Sequence, residues 1–123
     1  MAIKDLREWI KELEEQNEVA RIKEKVDWNL ELGGITQETF DRGGPALLFE
    51  NIKDYENTFC TKFFTGALAS FSRIAIMLGL PKDTPYRELI GIWRERSKKR
   101  IKPKILQTGP VKENIIKGAD VDF

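Results

Sequence analysis

Apolar residues recur at helical spacing at the start of the chain. The first such set consists of Leu6, Trp9, Ile10 and Leu13. Residues three or four positions apart share one face of a helix, so this set predicts an amphipathic helix that ends near Asn17. Asp5 and Glu8 have the spacing of an N-cap and its reciprocal partner. Residues 19–24 then alternate between two faces, which predicts a first strand.

The next predicted elements are a helix and a buried strand. Residues 30–42 have a helical apolar pattern, although Gly33 and Gly34 each lower helix propensity by about 1 kcal/mol. The pair Gly43–Gly44 ends this helix, and Pro45 prevents it from resuming. Residues 46–49 are short and wholly apolar, as is typical of a strand buried on both faces.

A polar turn at residues 54–57 precedes another alternating segment. Residues 58–64 alternate between two faces and predict a strand that pairs with residues 46–49. A helical stripe follows and ends at Gly79, and we expect this third helix to be largely buried. The stripe consists of Leu68, Phe71, Ala75 and Leu78.

The last part of the chain predicts a fourth helix and a short strand. Thr84 has the position of an N-cap, with Pro85 in the first turn, and the helix is expected to end near Lys98. Its apolar face consists of Tyr86, Leu89, Ile90 and Trp93. Residues 111–116 predict one more strand before a turn at Gly118. Together these elements predict an α+β fold, a small mixed sheet flanked by about four helices in a single domain.

Composition agrees with one globular domain. The chain has 123 residues, of which 41% are hydrophobic and 33% charged, enough apolar material for a core. Its 21 Lys and Arg balance 20 Asp and Glu, so we expect no long-range attraction to nucleic acid or to an anionic membrane. No signal peptide is predicted, because residues 1–13 carry acidic and basic side chains throughout and lack a continuous apolar stretch. No membrane span is predicted, because residues 74–80, the longest apolar stretch, are too few to cross a bilayer. These features favour a cytoplasmic protein.

Cysteine and histidine content narrow the chemistry. Cys60 is the single cysteine, which excludes an internal disulfide, and its Phe neighbours predict a small buried side chain. The chain contains no histidine, which excludes Ser-His-Asp triads, Cys-His dyads and His-ligated zinc within it. Neither glycine pair has the spacing of a phosphate-binding loop.

Two kinds of charged cluster are candidate sites. The acidic residues are Glu50, Asp54, Glu56, Asp120 and Asp122; they lack EF-hand spacing, so solvated turns are the favoured interpretation. The basic residues are Arg94, Arg96, Lys98, Lys99, Arg100, Lys102 and Lys104. These favour a solvated helix end and linker, with phosphate, RNA or an acidic partner as the alternatives. We predict no catalytic, cofactor-binding or metal-binding residue in the chain.

Residues 43–51, GGPALLFEN, resemble a segment of the UbiD-type carboxy-lyases. Further similar segments follow the order of that family: DLR at 5–7, EVARI at 18–22 with VD at 26–27, RIA at 73–75 with LG at 78–79, and GADVD at 118–122. The resemblance spans nearly the whole chain, and it identifies residues 1–123 as a UbiD-like amino-terminal α/β domain.

The resemblance implies part of an enzyme that removes or adds a carboxyl group on an aromatic or α,β-unsaturated acid. Family members use prenylated FMN with a divalent metal, Mn or Mg, and often potassium. The residues that bind these groups belong to a split-barrel flavin domain, which is absent here together with the carboxyl-terminal domain. We therefore expect no activity from this chain alone, and a flavin-binding domain or subunit as its partner, in a homo-oligomer when full length.

Three interpretations remain open at this point. The chain is the amino-terminal part of a carboxy-lyase, or a separately encoded, non-catalytic binding subunit of a multi-subunit aryl carboxylase, or an independent RNA- or phosphate-binding module that uses residues 94–104. An exposed apolar patch near the carboxyl end fits the first two. Binding that weakens steeply with salt would indicate the third.

Overall fold

The computed structural model describes residues 3–121, so Asp122, one of the candidate acidic residues, lies outside the described part. The helices are α1 (Leu6–Glu15), α2 (Glu31–Asp41), α3 (Phe71–Met77) and α4 (Tyr86–Ser97). The strands are β1 (Val19–Ile22), β2 (Ala46–Phe49) and β3 (Phe63–Thr65). Two 3-10 turns follow, at Pro110–Lys112 and Gly118–Asp120. The predicted α+β class, with a small sheet and four helices, is confirmed for residues 3–121.

The sheet is mixed, with the strand order β1-β2-β3. β1 and β2 are parallel, with Val19 opposite Ala46, and α2 forms the crossover that two parallel strands require. β3 is antiparallel to β2, with Phe64 opposite Leu48. β2 is therefore the central strand, and this position explains why all four of its residues are buried.

Each face of the sheet has its own core. On one face, Ala46 packs with Trp9 and Leu13 of α1 and with Ile76 of α3. On the other face, Leu47 and Phe49 pack with Val26 and Ile52, and α2 contributes Leu32 and Ile35. A third cluster, Ala75, Leu78 and Leu89, joins α3 to α4 beside the sheet. The two helices are thus attached through this small cluster.

The predicted cap of α1 is confirmed, with one change in its second half. Oδ1 of Asp5 accepts the backbone N–H groups of Arg7 at 2.8 Å and Glu8 at 2.9 Å. The Glu8 carboxylate accepts the N–H of Lys4 at 2.9 Å. In a reciprocal capping box, Glu8 would accept the backbone N–H of Asp5, the cap residue. Here it accepts the N–H of Lys4, the residue before the cap.

The strand predicted at residues 58–64 forms only at its end. β2 is four residues long, so β3 pairs with it over Phe63–Thr65 and the preceding residues have no neighbouring strand. The prediction that Cys60 is buried is therefore wrong: the loop before β3 is exposed, and so is Cys60.

The two carboxyl-terminal helices differ from expectation at their starts. α3 begins at Phe71, capped by the Ser70 hydroxyl, and α4 has Pro85 at its N-cap. Thr84 does not cap α4, because its hydroxyl donates to the Pro81 carbonyl at 2.6 Å.

The tail and the burial of α3 also differ from expectation. The strand predicted at residues 111–116 is absent from the described structure: a 3-10 turn begins at Pro110 instead, and these residues pair with none of the three described strands. α3 is only partly buried, since Phe71 is 61% and Met77 37% exposed.

Candidate interaction surface

An apolar groove of about 350 Å³ lies between α3 and α4. Its main lining residues are Phe71, Ile74 and Met77 from α3, and Tyr86, Leu89, Ile90 and Trp93 from α4. Leu89 forms the floor at 3% exposure, whereas Ile90 and Trp93 are 58% and 57% exposed. We call this feature the α3/α4 groove.

Contacts at both ends hold the groove in shape. At the amino-terminal ends of the helices, the Phe71 and Tyr86 rings pack with their centroids 5.7 Å apart. At the other ends, Nη1 of Arg96 donates to the Leu78 carbonyl at 2.6 Å. This hydrogen bond satisfies a carbonyl at the end of α3 and ties the two helices together. The groove is therefore built into the packing of α3 on α4.

The tail after α4 adds further exposed apolar side chains. Ile101, Ile105 and Val111 are each at least 89% exposed. Single exposed apolar residues are ordinary on protein surfaces, but contiguous apolar patches mark interaction sites. The groove and the tail follow each other along the chain, so several exposed apolar side chains lie in the carboxyl-terminal part of the described structure.

The basic run at residues 94–104 is exposed along its whole length, in agreement with the favoured interpretation of a solvated helix end. Two of its members have partners within the chain: Arg96 in the hydrogen bond to Leu78, and Lys98, which contacts Glu95 at 2.6 Å. Among residues 3–121, no carboxylate lies within ion-pair distance of the other five.

A network of ion pairs joins α1 to the sheet and to the residues beside it. Nε of Arg21 lies 2.5 Å from Glu14 of α1, and its Nη1 lies 2.7 Å from Glu50. Nζ of Lys62 lies 2.9 Å from the same Glu50 oxygen. The hydrogen bond from Lys62 lowers the pKa of Glu50 below its usual value, and Arg21 lowers it further by a smaller amount. The network ties α1 to the sheet and keeps Glu50 ionised.

The acidic turn residues have cationic neighbours. Asp27 contacts Lys53 at 2.5 Å, and this hydrogen bond lowers the pKa of Asp27. Glu56 is paired with Lys25, which lowers the pKa of Glu56. Within the described residues, no three His, Cys, Asp or Glu side chains are grouped so as to hold a metal ion. These carboxylates serve as partners of lysines, and they do not fit the metal that the family resemblance implies.

A second apolar hollow lies on the α2 side of the sheet. It measures about 390 Å³ and is lined by residues that include Trp28, Tyr55, Cys60 and Phe63. Trp28 and Tyr55 meet edge to face, with centroids 6.4 Å apart. Cys60 and Phe63 line this open hollow and Phe59 is fully exposed, so neither aromatic neighbour buries Cys60.

None of the helices between residues 3 and 121 is both long enough and apolar enough to cross a membrane.

Comparison with known proteins gives a family for this arrangement. Residues 10–93 match the amino-terminal domain of 3-octaprenyl-4-hydroxybenzoate carboxy-lyase, a stretch that contains the whole sheet and the α3/α4 groove. The chain is 33% identical over 128 aligned residues to the pyrrole-2-carboxylic acid decarboxylase of Pseudomonas aeruginosa, covering 97% of this chain and 25% of that protein.

Solved structures agree with the sequence match. Vanillic acid decarboxylase of Sedimentibacter hydroxybenzoicus, in closed form, superposes with a TM-score of 0.78 at 30% identity, covering 94% of this chain and 25% of that one. The apo 3,4-dihydroxybenzoic acid decarboxylase of Enterobacter cloacae gives a TM-score of 0.57 at 27% identity, covering 72% and 19%. The chain thus spans about a quarter of the length of the curated relative. The resemblance drawn from the sequence is confirmed: the chain belongs to the UbiD carboxy-lyase family, in the part that forms its amino-terminal domain.

Proposed function

We propose that this chain acts as the non-catalytic amino-terminal domain of a UbiD-like enzyme. That enzyme decarboxylates, or in reverse carboxylates, an aromatic or α,β-unsaturated carboxylic acid. In this proposal residues 1–123 form one domain, and the flavin-binding and carboxyl-terminal domains belong to the rest of the enzyme. The enzyme is cytoplasmic and assembles as a homo-oligomer.

The α3/α4 groove is the observation that carries this proposal. It lies within the family-matched region, and it leaves Ile90 and Trp93 more than half exposed on a preformed surface. A domain that works by docking requires such a surface. A carboxy-lyase active site requires acid-base or cofactor-binding groups, whereas the charged groups around Glu50 are used in ion pairs that tie the domain together.

Prenylated FMN, the divalent metal and potassium would belong to the flavin-binding domain. The carbanion chemistry of decarboxylation is supplied by the cofactor when it is bound there. We assign none of these groups to residues of this chain, because the carboxylates among residues 3–121 do not fit the metal and the α3/α4 groove is lined by apolar side chains. The contribution of this domain is packing and positioning.

The activity test compares this chain with the complete enzyme. Purified chain supplied with prenylated FMN, Mn²⁺ and K⁺ should release no carbon dioxide from aromatic acids, whereas the flavin-binding polypeptide together with this domain should. Carbon dioxide release by the chain alone, above a no-protein control, would refute its non-catalytic assignment.

The alternative is a separately encoded, non-catalytic subunit of a multi-subunit aryl carboxylase. The solved vanillic acid decarboxylase carries the two-component designation VdcCD, which makes this arrangement worth testing. The intact mass of the native protein, recovered from its source with an antibody to this chain, separates the two. A mass several times 14.2 kDa means a domain of a larger enzyme, and 14.2 kDa with a co-purifying flavoprotein means a separate subunit.

A further inference from the structure

The rim of the α3/α4 groove carries charge of one sign. With 3.6 residues per turn, positions seven apart on a helix lie on nearly the same line. Arg87 and Arg94 are seven apart, and each immediately follows a groove residue, Tyr86 or Trp93. They therefore form a line along the edge of α4 that faces away from α3.

The acidic residues of α4 lie elsewhere. Glu88 and Glu95 are also seven apart, but one further step of about 100° places them on the side of α4 opposite the groove. Glu95 is paired there with Lys98 at 2.6 Å. Among residues 3–121, no carboxylate lies within ion-pair distance of Arg87 or Arg94; Nε of Arg87 instead lies 3.4 Å from the Tyr86 hydroxyl. The cationic rim is thus available to a partner.

The groove has the dimensions of a helix-binding site. Its α4 side presents Tyr86, Ile90 and Trp93, which span two helical turns or about 10 Å. A helix that packs between two others presents anchors at i, i+3 or i+4, and i+7 over the same length. The rim on the α3 side has no charged residue from position 68 to 72. An occupant therefore meets positive charge along one edge only.

We propose that the α3/α4 groove binds an amphipathic helix with carboxylates along one edge, and that this helix belongs to the flavin-binding domain or subunit. The apolar stripe of the helix would cover Ile90 and Trp93. Its carboxylates would pair with Arg87 and Arg94, which fixes its direction and register in the groove. The identity of the partner rests on the proposed function above; the chemistry of the helix rests on the groove and its rim.

The experiment is site-specific photo-cross-linking in the source cells. A benzophenone side chain replaces Ile90 in the groove of the native, full-length polypeptide, and in a matched control it replaces Phe59, which is fully exposed in the loop before β3. Mass spectrometry then identifies the cross-linked segment. We expect Ile90, and not Phe59, to capture a helical segment of the flavin-binding polypeptide that has Asp or Glu along one edge.

A peptide of the captured segment is then titrated against three forms of this domain. Ile90→Glu should abolish binding, and the double charge reversal Arg87→Glu with Arg94→Glu should weaken it roughly tenfold at low salt, because two exposed ion pairs become repulsive. The reversal should have less effect at 1 M salt. Circular dichroism shows whether each variant remains folded, as expected because the three substituted residues are all exposed.

The outcomes separate the two proposals. An acidic-edged helix from an unrelated protein keeps the groove assignment and contradicts the proposed function. The groove assignment is overturned if the cross-linked segment of the flavin-binding polypeptide has no carboxylates, or if the charge reversal leaves peptide binding unchanged. Either result leaves the proposed function standing. Cross-linking of Ile90 to α4 of a second copy, to RNA, or to nothing also overturns it.

Discussion

Nη1 of Arg73 lies 3.1 Å from Oε2 of Glu18, although the two residues are 55 positions apart. The same nitrogen donates to the Gly44 carbonyl at 3.2 Å. Arg73 thereby connects α3 to the residues that precede β1 and β2. Its side chain is 2% exposed, and its Nε has no hydrogen-bond partner in the described structure. Buried arginine nitrogens normally have hydrogen-bond partners, and one nitrogen of Arg73 has none. We therefore attribute the position of the Arg73 side chain to its ion pair with Glu18 and its hydrogen bond to the Gly44 carbonyl.

Removing this guanidinium should destabilise the domain strongly. Arg73→Met keeps an apolar stem but leaves the Glu18 carboxylate with two weaker partners, the Ser72 hydroxyl at 3.3 Å and Nζ of Lys82 at 3.9 Å. We expect a loss of about 3 kcal/mol in unfolding free energy, the lower end for a broken buried pair because Glu18 remains partly exposed. Urea denaturation measures it. The double variant with Glu18→Gln should recover part of the loss, and a change below about 0.5 kcal/mol in Arg73→Met would contradict this role.

Elements whose signal is local were predicted from the sequence. α1, β1, α2 and β2 were expected at nearly their observed positions, because periodicity, caps and glycine stops act within one turn or strand. The extent of β3 was not predictable in this way. It depends on the length of β2, its partner, and β2 offers only Leu47–Phe49 for pairing.

The groove shows a second limit of sequence patterns. The apolar faces of α3 and α4 were predicted from their spacing, but spacing does not tell whether another element covers a face. In the structure, three short strands are already covered by α1 and α2, and α3 reaches the sheet core mainly through Ile76. Arg87 and Arg94 beside the stripe are the sequence signal for an exposed groove, but Arg87 lies outside the basic run at residues 94–104, so that run alone does not indicate it.

Two glycines should respond oppositely to alanine. Gly34 lies inside α2, and no atom lies within 4 Å of the position that a Cβ would take there, so Gly34→Ala should stabilise by about 1 kcal/mol through helix propensity. Gly66 has φ +81°, and a Cβ there would lie 2.7 Å from Cε1 of Phe40. Gly66→Ala should therefore destabilise by about 2 kcal/mol. Chemical denaturation of both variants tests the pair; equal shifts in one direction would contradict the packing described at Gly66.

Stability should fall in acid partly through Glu50. Lys62, and then Arg21, lower the pKa of this carboxyl in the folded state. A group with a lowered folded pKa contributes stability above its unfolded pKa, and this contribution is lost as pH falls through the folded value. Glu50→Gln should lower Tm at pH 7 and reduce its decline from about pH 5 to about pH 2. Glu113→Gln, in the exposed tail, is the control, and an unchanged acid profile in Glu50→Gln would argue against the network.

The thiol of Cys60 should react fully in the native protein. The side chain is exposed in the loop before β3, so the folded protein should titrate one thiol with Ellman's reagent, as the unfolded protein does. Cys60→Ser should titrate none. A thiol that becomes reactive only in denaturant would show that the loop folds over it.

Trp93 should report the covering of the groove. Trp9 is 7% exposed, whereas Trp28 and Trp93 are 54% and 57% exposed, so acrylamide should quench the last two and spare the first. In a Trp28→Phe variant, Trp93 then becomes the quenchable tryptophan, and adding the flavin-binding polypeptide should lower the quenching constant several-fold if the groove is the docked face. The Trp93→Phe variant keeps Trp28 and probes the hollow on the α2 side. Protection of Trp28 without protection of Trp93 would place the docked face on that side, because the two tryptophans lie in separate apolar surfaces.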